Sequence, residues 1–182
     1  MDGLICRDRL VEMEYYAAVV GGLIEAAECV EATLALVPHE SWNEGLSLSE
    51  VSKRLALDDE SVFLEELAGS RRQSSRRGGA LDVSGPRVHA TMLGLLYVYV
   101  GSGLGGLHLL RVVRTAQWWQ AEREHLLLHP YGEHLHDRWR AVLNALARLD
   151  ADATNAAVVA ARAGFELHRE SLVDHLSIGG GR

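Results

Sequence analysis

The chain has 182 residues, 48% of them hydrophobic and 24% charged, with a formal net charge of -7. That length supports one domain burying roughly 70% of its unfolded surface, and so apolar a composition excludes a disordered chain. Two cysteines, Cys6 and Cys29, exclude a disulfide scaffold, and the acidic balance argues against nucleic acid as a partner. The longest uninterrupted apolar run, Met92 to Val100, falls short of the ~18 residues of a transmembrane helix, so no membrane partner is expected. Asp2, Arg7, Asp8 and Arg9 do not suit a signal peptide, and a cytoplasmic location is expected. Lys53 is the only lysine; the other basic charge is arginine.

In chain order, Val11, Tyr15, Ala18, Val19, Gly22, Leu23, Ala26, Val30 and Leu34 recur at threes and fours. They predict one amphipathic helix from about Asp8 to Leu36, stopped by Pro38. Gly21-Gly22 in its middle calls for close packing or a kink. Ser47 to Glu50 fits a capping box, with Leu48, Val51 and Leu55 facing inward. Asp58 or Asp59 can cap a further helix carrying Val62, Phe63, Leu64 and Leu67. Gly69 to Gly85 reads as an exposed loop, and its arginines Arg71, Arg72, Arg76 and Arg77 as a solvated or anion-binding patch. Helix resumes at His89, runs into Gly101-Ser102-Gly103-Leu104-Gly105-Gly106, and continues from Leu107 to Val113. Trp118 to Leu128 forms a segment ended by Pro130. Leu135, Trp139, Val142, Leu143, Leu146 and Leu149 mark another helix. Asp152 or Thr154 caps the last one, with Val158, Val159, Ala161, Phe165, Leu172 and Leu176 inward and a frayed tail over 177–182. The expected fold is all-α and single-domain, with about seven helices.

Four patterns could carry chemistry. Gly101, Gly103 and Gly106 match the dinucleotide fingerprint in form, with Glu122 or Glu124 about 20 residues on. That motif belongs to a strand–turn–helix unit, and only Leu96 to Val100 could be a strand. A helix thinned by glycine fits better, because missing side chains let a flat ligand lie against its backbone. Glu122-x-x-His125 and Glu133-x-x-His136 resemble the pairs of di-iron bundles, with Glu25 or Glu28 as further acids and His129 and His134 nearby. Pro130 separates the two pairs, which then flank one turn. The cysteines suit no zinc spacing. Ser102 lies among glycines without the G-x-S-x-G pattern of a nucleophile elbow.

Three blocks resemble the bacterial heme oxygenase family. Ala90-Thr91-Met92-Leu93-Gly94-Leu95-Leu96-Tyr97-Val98-Tyr99-Val100-Gly101-Ser102-Gly103-Leu104-Gly105-Gly106 is similar to its distal-helix region. His129-Pro130-Tyr131-Gly132, followed by Arg138-Trp139-Arg140-Ala141-Val142, resembles its next block, and Ala161-Arg162-Ala163-Gly164-Phe165 its last helix. The likeness spans about Met13 to Leu172. It implies one heme oxygenase-like helical domain over 1–182, which takes heme as substrate and cofactor together. Heme would be cleaved with O2 and electrons from a reductase or ferredoxin, giving biliverdin, iron and CO.

By the same resemblance Gly101, Ser102 and Gly105 act at the distal face, and Leu104, Gly106, Trp139 and Phe165 complete the heme-binding set. The family's proximal histidine would precede Met1, and no histidine stands before His39. His168, where the family often has an aromatic residue, and His108 are the substitutes. Val100 stands where the family usually has Glu. The alternatives are a heme or tetrapyrrole binder without turnover and a heme-oxygenase-like non-heme iron oxidase using His125 or His136.

Overall fold

The structure is a computed structural model that describes residues 4–37, 46–68, 87–119 and 126–179. All regular structure among them is helical. A 3-10 turn over Arg7–Val11 leads into α1, Met13–Leu34. The chain is extended at Glu12, so the expected helix from Asp8 is two elements. The Tyr15 hydroxyl accepts the Cys6 backbone N–H at 2.7 Å and folds this segment back onto α1.

α2, Leu48–Val51, is a single turn opened by the expected capping box, with Ser47 and Glu50 satisfying each other's backbone N–H groups. The chain then extends at Ser52 and α3 runs over Arg54–Ala68. Asp58 and Asp59 therefore lie inside α3, exposed, and are not its caps. Leu55 and Val62 are also exposed, because the helix begins earlier than expected and its buried face shifts to Ala56, Leu57, Glu60, Phe63 and Leu64.

α4, Val88–Val113, passes through all the glycines of the 101–106 stretch without a break. Residues 96–100 are helical, which removes the strand that a dinucleotide site needs. Polar and small residues do not interrupt α4, so it is long and apolar enough to cross a membrane, contrary to the count of uninterrupted apolar residues. Most of its apolar window is buried in the protein, as in a core helix. The described parts of the Trp118–Leu128 segment are turns, not helix. A 3-10 turn at Gly132–His134 precedes α5, Leu135–Leu146.

α6, Ala151–Gly179, starts at Asp150, whose carboxylate accepts the Ala153 N–H at 2.7 Å; neither Asp152 nor Thr154 is the cap. It stays helical through Gly179, past the expected fraying point. Val158, Val159 and Phe165 are exposed, while Ala157, Ala160, Gly164, His168, Ser171 and Leu172 form the buried stripe. The apolar residues of this helix mark a wider arc than its neighbours cover.

α4 and α1 pack side by side against α6, α5 covers the far half of α4, and α3 covers α1. Glycine makes these crossings close. A Cβ on Gly94 would meet the Ala157 backbone, and one on Gly22 would lie 2.9 Å from the Ser171 carbonyl. Gly21-Gly22 therefore serves packing. The core holds Tyr16, Ile24, Met92, Leu93, Leu96, Tyr99, Leu135 and Leu172, all essentially without exposure.

Candidate functional site

A cavity of about 630 Å³ opens between the glycine stretch of α4, the start of α5, the middle of α6 and the α1 face carrying Leu23 and Ala27. Gly101, Ser102, Leu104, Gly105, Gly106, Trp139 and Phe165 all line it, so the seven residues singled out in the sequence meet at one place. His168 and His108 line it too, as do Arg7, Lys53, Leu127 and Leu128.

The glycines divide by what a side chain would meet. A Cβ on Gly101 would lie 3.0 Å from the Trp139 ring, and one on Gly103 2.9 Å from Leu135. One on Gly106 would collide with the Leu128 backbone. These three let α5 and the 126–131 segment close onto α4. Gly105 differs: it lines the cavity, is exposed, and nothing lies within 4 Å of its Cβ position. The helix surface there is bare backbone.

Aromatic rings build one wall. Trp139 packs on Tyr97 with ring centres 5.0 Å apart, and Phe165 meets Tyr97 edge-on at 6.5 Å. The opposite wall is placed by a buried carboxylate. Glu60 accepts the Tyr16 hydroxyl at 2.5 Å and the Leu127 N–H at 3.3 Å, which ties α1, α3 and the Leu127–Leu128 strip together.

Two buried basic side chains stand on the walls. Lys53 is 3% exposed, and its Nζ donates to the Tyr99 carbonyl at 2.5 Å and to the Ser102 hydroxyl at 2.7 Å. It also lies 4.3 Å from the centre of the Tyr99 ring. Burial pulls its pKa down to about 7, and Glu31 opposes that shift. Around it, Glu31 accepts the Lys53 backbone N–H at 2.7 Å and the Tyr99 hydroxyl at 2.5 Å. The Tyr131 hydroxyl donates to the Val51 carbonyl at 2.6 Å, and burial pushes both phenols above their ordinary range.

His168 is 2% exposed and its Nδ1 lies 2.8 Å from the Gly164 carbonyl. Only Nδ1–H can donate to that oxygen, which leaves Nε2 as a lone-pair nitrogen. Burial lowers its pKa to about 4, so the ring is neutral at pH 7. His168 is thus the histidine suited by burial and tautomer to hold a metal at this cavity; His108 is exposed.

The other candidates do not converge. Glu133, His134 and His136 are exposed, and Glu25 instead faces His175, 2.8 Å away. Glu122, Glu124 and His125 lie outside the described residues, as does the arginine-rich stretch over 69–85. Among the described residues no three His, Cys, Asp or Glu side chains gather as a metal site. Cys6 and Cys29 are not joined in a disulfide. Sequence reasoning missed Lys53 as a site residue. Its one signal was being the only lysine, just past a helix cap. Comparison of the chain with protein-family models, with curated proteins and with solved structures gives no match.

Proposed function

We propose that the chain is a heme oxygenase-like enzyme, cutting heme to biliverdin, iron and CO with O2 and electrons from an external reductase or ferredoxin. The observation that carries this reading is the bare backbone at Gly105 on the wall of a cavity whose volume suits a flat ligand of that size. A porphyrin needs a wide apolar slot with one thin wall, and these residues fit it. Gly105 supplies the thin wall, Leu104 flanks it, Gly101 seats Trp139 beside it, and Trp139 and Phe165 provide aromatic surface for the ring face. Arg7 and His108, on the same walls, suit its carboxylates, and His168 Nε2 could hold the iron.

Heme, when bound, supplies the redox chemistry. The chain supplies an apolar, aromatic-walled slot for the ring and a polar point on the glycine face. There the Ser102 hydroxyl donates to the Tyr99 carbonyl at 2.8 Å, so its oxygen is fixed in place.

Hemin titration followed by visible spectroscopy tests the reading. A sharp Soret band replaced, on adding ascorbate, by the broad biliverdin absorbance supports it. A sharp band without turnover favours a heme carrier on the same fold. No saturable band rejects both.

A further inference from the structure

Lys53 has no part in that reading, yet its setting is unusual for a lysine. Lysine is almost never fully buried without an ionic partner. Here both Nζ partners are neutral oxygens, the Tyr99 carbonyl and the Ser102 hydroxyl. Glu31, the acid whose charge acts on it, directs Oε1 to the Lys53 backbone N–H, the Ser52 hydroxyl and the Tyr99 hydroxyl. A free amine satisfies this arrangement, since its two N–H bonds match the two oxygens and a lone pair remains. An ammonium would carry a third N–H that meets no oxygen or nitrogen acceptor among the described residues, only the faces of the Tyr99 and Tyr131 rings. Lys53 also lines a cavity with Leu23, Ala27, Leu104, Leu109 and Leu127, and its nitrogen is bonded to Ser102 on the same lining.

We infer that Lys53 is a reactive amine that takes an apolar aldehyde or ketone from the cavity as an imine on Nζ. The lone pair adds to the carbonyl carbon, forming the C–N bond, and the carbonyl oxygen becomes a hydroxyl. That hydroxyl then leaves with a proton as water, and the nitrogen gives up its hydrogens, so no electrons are exchanged. Ser102, 2.7 Å from Nζ, carries the proton from nitrogen to the departing oxygen once its hydroxyl turns away from the Tyr99 carbonyl. The titratable groups facing Nζ are Glu31 from α1, Tyr99 from α4, Tyr131 before α5 and His168 from α6. Glu31 favours the ammonium; burial opposes it and prevails, so the free amine is present near pH 7.

A single lysine makes the test direct. The whole chain is incubated with hexanal and cyanoborohydride, without heme, and the adducts are located by peptide mapping. A free lysine peptide in the same tube is the reference. Lys53 should be alkylated roughly tenfold or more faster than the reference at pH 7. Its rate should level off above about pH 7, while the reference keeps rising towards pH 10. Ser102→Ala keeps the lysine and should slow the reaction. Alkylation no faster than the reference, or only after unfolding in urea, would overturn the inference, and an unchanged rate in Ser102→Ala would overturn the proton path. Because heme is absent, the outcome is separate from the fate of the heme oxygenase reading.

Discussion

α1 and α4 both carry glycine in mid-helix, and they use it for different ends. In α1, Gly21 and Gly22 face α6 directly; His175 and the Ser171–Leu172 backbone occupy the space where side chains would go. In α4, Gly101, Gly103 and Gly106 do the same for Trp139, Leu135 and the Leu128 backbone, but Gly105 between them faces nothing. A packed glycine lowers the distance between elements. An unpacked one in a helix weakens the helix by about 1 kcal/mol relative to alanine and gives no contact in return. Its only structural product is space on a cavity wall, so the two regions can be told apart by filling each position.

The largest effect is expected at the closed end. Gly106→Leu drives a side chain into the Leu128 backbone, which cannot rotate away, and should cost about 3 kcal/mol or more, read as a lower urea midpoint. Trp139→Ala removes the ring that seats against Gly101 and Tyr97 and should cost about 3 kcal/mol, the low end for a tryptophan because the residue is only half-buried. Its hemin affinity should fall as well, which a tryptophan remote from the cavity would not show.

The third expectation concerns pH. His168 has a folded pKa near 4 against an ordinary 6.5, so the unfolded chain binds its proton more readily. Its neutral form is no burden above about pH 6.5, and stability is lost progressively as pH falls from there to about 4. Urea midpoints at pH 7 and pH 5 should therefore differ less in His168→Leu than in the wild type. If His168 holds iron, the same variant loses the Soret band of the hemin complex.

The smallest stability change belongs to Gly105→Leu, which gains helix propensity and should leave the unfolding free energy from urea titration within about 1 kcal/mol of the wild type. Its hemin titration should nonetheless fail. A loss of stability like that of Gly106→Leu would erase the distinction between the two glycines; intact hemin binding would detach Gly105 from the proposed site.

Local signals were readable in the sequence where one segment settles the outcome. The Ser47–Glu50 capping box formed because both partners lie within one turn. The glycine stretch remained helical because the apolar periodicity on either side of it is continuous. Which of its glycines stays uncovered was not readable there, since Trp139, Leu135 and Leu128 fill the space at three of them.

What stayed hidden depends on partners far along the chain. Lys53 becomes a buried amine only because Tyr99 and Ser102, 46 and 49 residues away, enclose it. Val158, Val159 and Phe165 follow a helical period yet face outward, because periodicity gives a face but not which neighbour covers it. Asp150 took the cap from Asp152 and Thr154 because all three residue types suit the position, and the turn after α5 decides among them.

Phe165 carries a thermodynamic consequence. It stands on the cavity wall while 42% exposed, so water wets part of an aromatic face at the entrance. A molecule that settles against it strips that water away, and desolvation of apolar area lowers the heat capacity of the system. Calorimetry across a range of temperatures would then show the enthalpy of association growing steadily more negative on warming. Replacing Phe165 with serine would flatten that slope, even where the affinity at one temperature barely moves.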